Sequence, residues 1–151
     1  MKRMLKLTTA GVFAGLMLIR AGAAELDWTT DVPKAQAKAK EEKKLVFLDF
    51  TGSDWCGWCI KLNKEVFATP EFTAYAKKNL LLVEVDFPRN KEQSEELKKA
   101  NQALQEKYAI PGYPTIIVLD GEGKKVGQLG YVRGGPKAFL AELEKIREKQ
   151  P

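Results

Sequence analysis

Two mainly apolar runs, separated by segments of helical character, constrain the fold of this chain most strongly. The first run covers residues 45–50 and the second covers residues 80–87, and both are rich in Leu, Val and Phe. Such runs are typical of strands that are buried on both faces of a sheet. Strands joined through helices pair in parallel by right-handed crossovers. The sequence therefore predicts an α/β domain.

Helical segments and a terminal hairpin complete the pattern. A capping residue followed by a proline in the first turn marks two helix starts, at Asp31 and Thr69. Residues 116–119 and 125–129 flank a glycine-containing turn, which is a hairpin signal. We predict a three-layer α/β sandwich, in which the C-terminal antiparallel hairpin joins a central mixed sheet. The predicted helices cover residues 31–44, residues 59–67, a segment from Thr69, residues 91–108 and a last segment from Gly134.

The first 24 residues differ from the rest of the chain. They contain four basic residues and no acidic one, an apolar run from Ala10 to Ile19, and small residues at the end. This layout predicts a signal peptide over residues 1–24 and a single domain over residues 25–151. The apolar run is shorter than the roughly 20 residues that a membrane-spanning helix needs. We therefore expect an exported protein, periplasmic or secreted, with no stable membrane insertion after cleavage.

Charge and composition exclude several classes of function. The chain has 25 basic residues against 20 acidic ones, and most of the excess lies in the predicted signal peptide. The remaining domain is nearly neutral, so its charge gives no reason to expect nucleic acid or an anionic membrane as a partner. The chain contains no histidine, which excludes a Cys-His protease and any imidazole base.

The two cysteines of the chain, Cys56 and Cys59, are separated by two residues. A bridge between them would close a very short loop and restrict the unfolded chain little, so a structural staple explains the pair poorly. Structural zinc takes about four ligands, so a metal site would require a dimer that shares cysteines, or unusual help from carboxylates. The pair is better interpreted as a redox reagent, and we expect no metal or other cofactor.

The position of the pair supports this interpretation. The pair follows the predicted strand 45–50 and begins a helix, where free backbone N–H groups and the helix dipole favour negative charge. Cys56 would therefore have a lowered pKa and more of the nucleophilic thiolate. Cys59, one helical turn later, lies within bridging distance. Cys56 can attack a substrate disulfide, and Cys59 can resolve the mixed disulfide.

Strand 45–50 is followed by Trp55-Cys56-Gly57-Trp58-Cys59, by Tyr113-Pro114-Thr115 before the hairpin, and by the closing helix. This order of motifs resembles the thioredoxin superfamily. The resemblance covers about residues 40–148, and it looks most like the exported thioredoxin-like thiol:disulfide interchange proteins of bacteria. It implies a thioredoxin-like fold, thiol:disulfide oxidoreductase activity, protein thiol or disulfide substrates and a redox partner protein; we expect a monomer.

The resemblance also assigns roles to residues outside the pair. It implies that Pro114 follows a cis peptide bond beside Cys56, so that the backbone of Tyr113 can pair with an extended substrate. It implies a buried carboxylate behind Cys59 as proton acceptor, and Asp49 is the one acid in strand 45–50. Asp49 lies one residue farther from Cys56 than in thioredoxin itself, and a shifted strand would turn it to the other face. Alternatively, Asp49 is a strand-end residue bonded to the backbone.

The residues around the cysteines are expected to form the substrate surface. Trp55 would pack beside the thiol, whereas Trp58, between the cysteines, would be more exposed and would tune the pair. Asp54 is expected to be a solvated loop acid. Gly57 and Trp58 form the intervening dipeptide, which influences the reduction potential in this family.

The direction of electron flow is open at this point. The dipeptide Gly57-Trp58 matches neither the Gly-Pro of cytoplasmic thioredoxins nor the Gly-His of eukaryotic disulfide isomerases. We expect a reductase because the Trp-Cys-Gly start is thioredoxin-like, and an oxidase or isomerase is the alternative. An alternative of another class is a thioredoxin-like binding or chaperone module whose disulfide is idle.

Overall fold

The computed structural model describes residues 25–150, so the predicted signal peptide at residues 1–24 lies outside the described residues. Among residues 25–150, no helix has both the length and the apolar character that a membrane crossing requires. The strands are β1 (Trp28–Thr29), β2 (Leu45–Thr51), β3 (Leu80–Asp86), β4 (Thr115–Leu119) and β5 (Lys125–Leu129). The helices are α1 (Val32–Glu42), α2 (Gly57–Leu62), α3 (Pro70–Asn79), α4 (Glu95–Lys107) and α5 (Gly135–Arg147), with a π-helical segment (Asn63–Phe67) directly after α2.

The strands form one mixed sheet in the order β1-β3-β2-β4-β5. β3 pairs in parallel with β1 and β2, whereas β4 pairs antiparallel with β2 and β5. α1 and α4 pack on one face of the sheet, and α2, the π-helical segment, α3 and α5 pack on the other. The predicted three-layer sandwich with a C-terminal antiparallel hairpin is confirmed. The sequence did not predict β1, because two residues are too few to show an alternation.

Helix starts follow the capping chemistry of the sequence. Asp31 accepts a hydrogen bond from the backbone N–H of Lys34, and Thr69 accepts one from Phe72. Each cap satisfies one of the N–H groups that a helix start leaves without an intrahelical partner. α4 begins later than predicted because Ser94 is its cap.

Alternation along β2 divides its side chains between two cores. Phe47 faces the layer of α3 and α5, where its ring contacts those of Trp28, Phe67, Phe72 and Phe139. The even-numbered residues of the strand face α1 and α4 instead. Asp49 is two residues beyond Phe47, so it points to the layer that contains α2 and the cysteines. The register of the buried strand therefore determines which helices the carboxylate faces.

Candidate active site

The cysteine pair lies where the chain passes from β2 to α2. Cys56 and Cys59 form a disulfide, and their Cα atoms are 5.2 Å apart. Cys56 is the N-cap of α2, and its Sγ accepts a 3.2 Å hydrogen bond from the backbone N–H of Cys59. An N–H group directed at this sulfur stabilises negative charge on it, which favours the thiolate of Cys56 after reduction.

A tight turn sets Cys56 at the helix start. The carbonyl of Gly52 accepts hydrogen bonds from the backbone N–H groups of Trp55 and Cys56, at 3.2 and 2.8 Å. A Cβ atom on Gly52 would lie 2.5 Å from the Trp55 indole. Glycine at this position therefore lets the indole pack against the backbone of the turn.

Trp55 is held firmly in the loop that precedes Cys56. Its Nε1 donates a 2.7 Å hydrogen bond to the carbonyl of Phe87, and the guanidinium of Arg89 lies 3.9 Å from the ring centroid. Tyr113 meets the indole edge-on at 6.0 Å and stacks on Phe87 at 5.2 Å. The peptide bond between Tyr113 and Pro114 is cis. Tyr113, directly before the proline, thus contacts Trp55, directly before the first cysteine.

Trp58 belongs to a second aromatic group. It is 52% exposed and lies 5.0 Å from the ring of Tyr131. The Lys61 ammonium lies over both rings, at 5.1 and 5.3 Å, which is a cation–π arrangement. Ile60 is also exposed, and a Cβ on Gly57 would meet no heavy atom within 4 Å. The surface beside the disulfide is therefore open and apolar.

A cleft of about 290 Å³ lies behind Cys59, and Asp49 and Glu84 line it together with that cysteine. Asp49 is 7% exposed, and its Oδ1 has no hydrogen-bond partner among the described residues. Burial, and then the carboxylates of Glu84 and Asp86, raise the pKa of Asp49 to about 8. Asp49 therefore lies on the Cys59 side of the sheet despite the extra loop residue, and within residues 25–150 no backbone group donates a hydrogen bond to its Oδ1.

Asp54, expected to be a solvated loop acid, lies in a loop and is partly exposed, but it also has backbone partners. Its carboxylate accepts hydrogen bonds from the backbone N–H groups of Arg89, Asn90 and Lys91, at 3.0, 2.7 and 3.1 Å. These bonds, first the one from Arg89, lower the pKa of Asp54. Asp54 thus ties the loop after β3 to the loop that carries the cysteines.

Four residues of this site were not predicted: Glu84, Phe87, Arg89 and Tyr131. An acid inside an apolar run, as Glu84 is in residues 80–87, could have pointed to the site. Arg89 and Tyr131 lie in connecting segments, and nothing in the sequence marks them as neighbours of the tryptophans. Within residues 25–150, no group of three or more Cys, His, Asp or Glu side chains is arranged to hold a metal ion.

The chain matches a family model and several known proteins. Residues 32–147 match the family model described as a thioredoxin-like domain. The disulfide bond reductase DsbH of Chlamydia pneumoniae is 38% identical over 122 residues, which are 81% of this chain and 73% of DsbH. The thiol:disulfide interchange protein DsbD of Vibrio vulnificus is 36% identical over 113 residues, which are 73% of this chain and only 17% of DsbD. A solved structure of a DsbH oxidoreductase has a TM-score of 0.80 at 32% identity, and the match covers 99% of this chain and 96% of that one.

These relatives agree with the geometry of the site. They are protein-disulfide oxidoreductases, and this chain has a bonded pair of cysteines at a helix start. The predictions of a thioredoxin-like fold and of a protein-disulfide oxidoreductase are confirmed. The chain belongs to the family of thioredoxin-like domains.

Proposed function

We propose that this protein is an exported disulfide reductase that passes electrons from a redox partner protein to the disulfides of other exported proteins. The main support for this function is the position of Cys56 as N-cap of α2, with the backbone N–H of Cys59 directed at its sulfur. The similarity to a protein named disulfide bond reductase supports the direction of electron flow. A signal peptide at residues 1–24, followed by a single domain at residues 25–151, would place it outside the cytoplasm.

The reaction begins with the reduced pair. The Cys56 thiolate attacks one sulfur of the substrate disulfide, that disulfide breaks, and one substrate thiolate leaves. Cys59 then loses its proton and attacks the sulfur of Cys56. The second substrate thiolate leaves, and the Cys56–Cys59 disulfide remains. Two electrons have passed to the substrate, so a dithiol partner must reduce the pair before the next cycle.

Asp49 is the proposed acceptor of the proton of Cys59. The cleft behind Cys59 joins the two side chains, so the proton can move directly or through one water. Because the pKa of Asp49 is raised to about 8, its carboxylate is a stronger base than an ordinary aspartate. A group with a pKa close to the working pH both accepts and releases protons readily.

The substrate surface is proposed to consist of Trp55, Gly57, Trp58, Tyr113 and Pro114. The carbonyl and N–H of Tyr113, directly before Pro114, would pair with an extended substrate segment. The exposed ring of Trp58 and the open space at Gly57 would admit the substrate beside the disulfide. One chain supplies both cysteines and Asp49, so a monomer would be a complete catalytic unit.

The reduction potential of the Cys56–Cys59 pair tests the direction of electron flow. The domain would be equilibrated with defined glutathione or dithiol buffers, and the fraction of oxidised pair would be measured. A reductase should have a potential near the value of about −270 mV that is found for thioredoxin. A value near about −120 mV, as in the oxidant DsbA, would contradict the proposal and favour an oxidase.

A further inference from the structure

Asp49 has an acidic neighbour on the adjacent strand. In the parallel pairing of β2 with β3, Asp49 lies directly opposite Glu84, and neighbouring strands are about 4.8 Å apart. Both side chains line the cleft behind Cys59. The strand register therefore places two carboxyl groups side by side, next to the resolving sulfur.

The two carboxyl groups differ in their access to water. Asp49 lines the cleft but is only 7% exposed, and its buried Oδ1 has no hydrogen-bond partner among the described residues. Glu84 is only partly buried. Negative charge is therefore more costly on Asp49 than on Glu84, since a buried carboxylate loses more hydration. A single proton shared by the two groups would reside mainly on Asp49.

The other charged groups near the pair come from three elements. On β3, the Asp86 carboxylate accepts two hydrogen bonds from Ser53, at 2.9 and 2.5 Å, so it is already engaged. Lys64 of the π-helical segment lines the cleft and is exposed, and Lys91 after β3 donates a 3.0 Å hydrogen bond to Ser53. On its other side, β4 places the uncharged Ile116 opposite Asp49.

We propose that Asp49 and Glu84 form a carboxyl pair that shares one proton near neutral pH, with Glu84 as the residue that positions this proton on Asp49. Two adjacent carboxylates in a partly buried site do not both ionise readily, and they titrate as a coupled unit. Burial, and then the carboxylates of Glu84 and Asp86, raise the pKa of Asp49; burial, and then the Asp86 carboxylate, raise the pKa of Glu84. The geometry of the register and of the cleft makes Glu84 the partner of Asp49.

The role of the pair in the reaction rests on the proposed function. When Cys59 attacks the Cys56–substrate disulfide, the form of the pair that has lost its shared proton takes the Cys59 proton onto Asp49, the Cys56–Cys59 bond forms, and the electron pair of the broken bond leaves with the substrate thiolate. The pair then returns the proton to water through the partly exposed Glu84. In the reverse direction, the protonated pair supplies a proton to the Cys59 thiolate. No further reactant is needed.

The existence of the pair can be tested without turnover. In the oxidised protein, the carboxyl carbons of Asp49 and Glu84 would be titrated by NMR, and both should show the two-step curve of coupled groups. Glu84→Gln should lower the midpoint of Asp49 by about one pH unit or more. Glu84→Asp, which keeps the charge, should return the Asp49 midpoint most of the way to its value in the parent protein.

Glu106→Gln is the control, because it removes one exposed charge from α4 on the other face of the sheet, and it should leave the Asp49 midpoint unchanged. An Asp49 midpoint that Glu84→Gln does not move overturns the pair.

A kinetic experiment then tests the catalytic role. Mixing the reduced protein with equimolar Ellman's reagent releases one thionitrobenzoate when Cys56 attacks and a second when Cys59 resolves the mixed disulfide. Glu84→Gln should move the pH midpoint of the second release down by the shift seen in the NMR titration, and it should leave the first release unchanged. A shifted NMR midpoint with an unshifted second release would support the pair but refute the proposed role of Asp49 in the reaction.

Discussion

The carboxylate of Asp54 accepts a 2.7 Å hydrogen bond from the backbone N–H of Asn90. The same carboxylate accepts the N–H groups of Arg89 and Lys91, so one side chain of the cysteine loop holds three consecutive backbone groups of the loop after β3. That second loop also supplies the guanidinium that lies over Trp55. Asp54 therefore joins the two loops that fix the tryptophan before the first cysteine.

The variant Asp54→Asn tests this role through the pH dependence of stability. The pKa of Asp54 is lowered from 3.8 by the backbone hydrogen bonds, so ionised Asp54 stabilises the folded state. This stabilisation is complete above the pKa of the unfolded chain and is lost as the pH falls through the lower pKa of the folded state. We expect Asp54→Asn to lower the free energy of unfolding near neutral pH, and the difference to shrink at pH values below 3.8. Urea denaturation of the oxidised protein at both pH values measures it.

The control for Asp54→Asn is Glu92→Gln, which removes the charge of an exposed side chain close to the same loop. It should change the free energy of unfolding little at either pH. An equal loss for Asp54→Asn at neutral and acidic pH would show that the carboxylate charge does not hold the loops together.

The variant Gly52→Ala should displace Trp55. The added Cβ would lie 2.5 Å from the indole, which the hydrogen bond to Phe87 holds in place. We expect a loss of about 1–3 kcal/mol in the free energy of unfolding, as for other overpacked sites, together with altered tryptophan fluorescence and slower disulfide reduction. At Gly112 an added Cβ meets no heavy atom within 4 Å, so Gly112→Ala is the matched control. Unchanged fluorescence and rate in Gly52→Ala would contradict the tight packing of the indole.

Serine variants separate the roles of the two cysteines. Cys56→Ser should abolish disulfide reduction, because it removes the attacking sulfur. Cys59→Ser should attack normally and then accumulate a mixed disulfide with the substrate, because the resolving thiol is missing. Non-reducing gels and mass spectrometry of each variant, after mixing with a disulfide-bonded protein, reveal the adduct. A parent protein that reduces disulfides no faster than Cys56→Ser would favour a binding module, and an adduct formed by Cys56→Ser instead would reverse the assignment.

The sequence alone predicted those features that depend on residues close together along the chain. β2, β3 and the start of α2 follow from apolar runs and from the position of the cysteines after a buried strand. The contacts that build the walls of the site join distant segments, as between Asp54 and Arg89, which are 35 positions apart. Such contacts depend on which strands pair and in which register, and no local pattern reports that.

The orientation of Asp49 could not be predicted from the sequence alone. Because side chains alternate along a strand, a shift of one residue reverses the face, and the length of the loop before Cys56 could not decide between the two faces. The core contacts of Phe47 decide it, since they fix the face of every odd-numbered residue in β2. Glu84 then becomes the neighbour of Asp49 through the pairing of β2 with β3. The position of Glu84 beside Asp49 therefore follows from tertiary structure alone.

Burial of Asp49 also predicts a cost in stability that grows with pH. Its pKa is raised from 3.8 in the unfolded chain to about 8 in the folded protein. Between these values the folded state binds more protons than the unfolded state, so stability falls as the pH rises, by at most about 1.4 kcal/mol for each pH unit. Asp49→Asn removes this titration, so its stability relative to the parent should increase from weakly acidic to weakly alkaline pH and then level off above about pH 8. Urea denaturation of the two oxidised proteins across this range measures the difference, with Glu106→Gln as the charge control. A difference that does not change with pH would show that Asp49 ionises normally, and it could not then act as the proposed proton acceptor with a raised pKa.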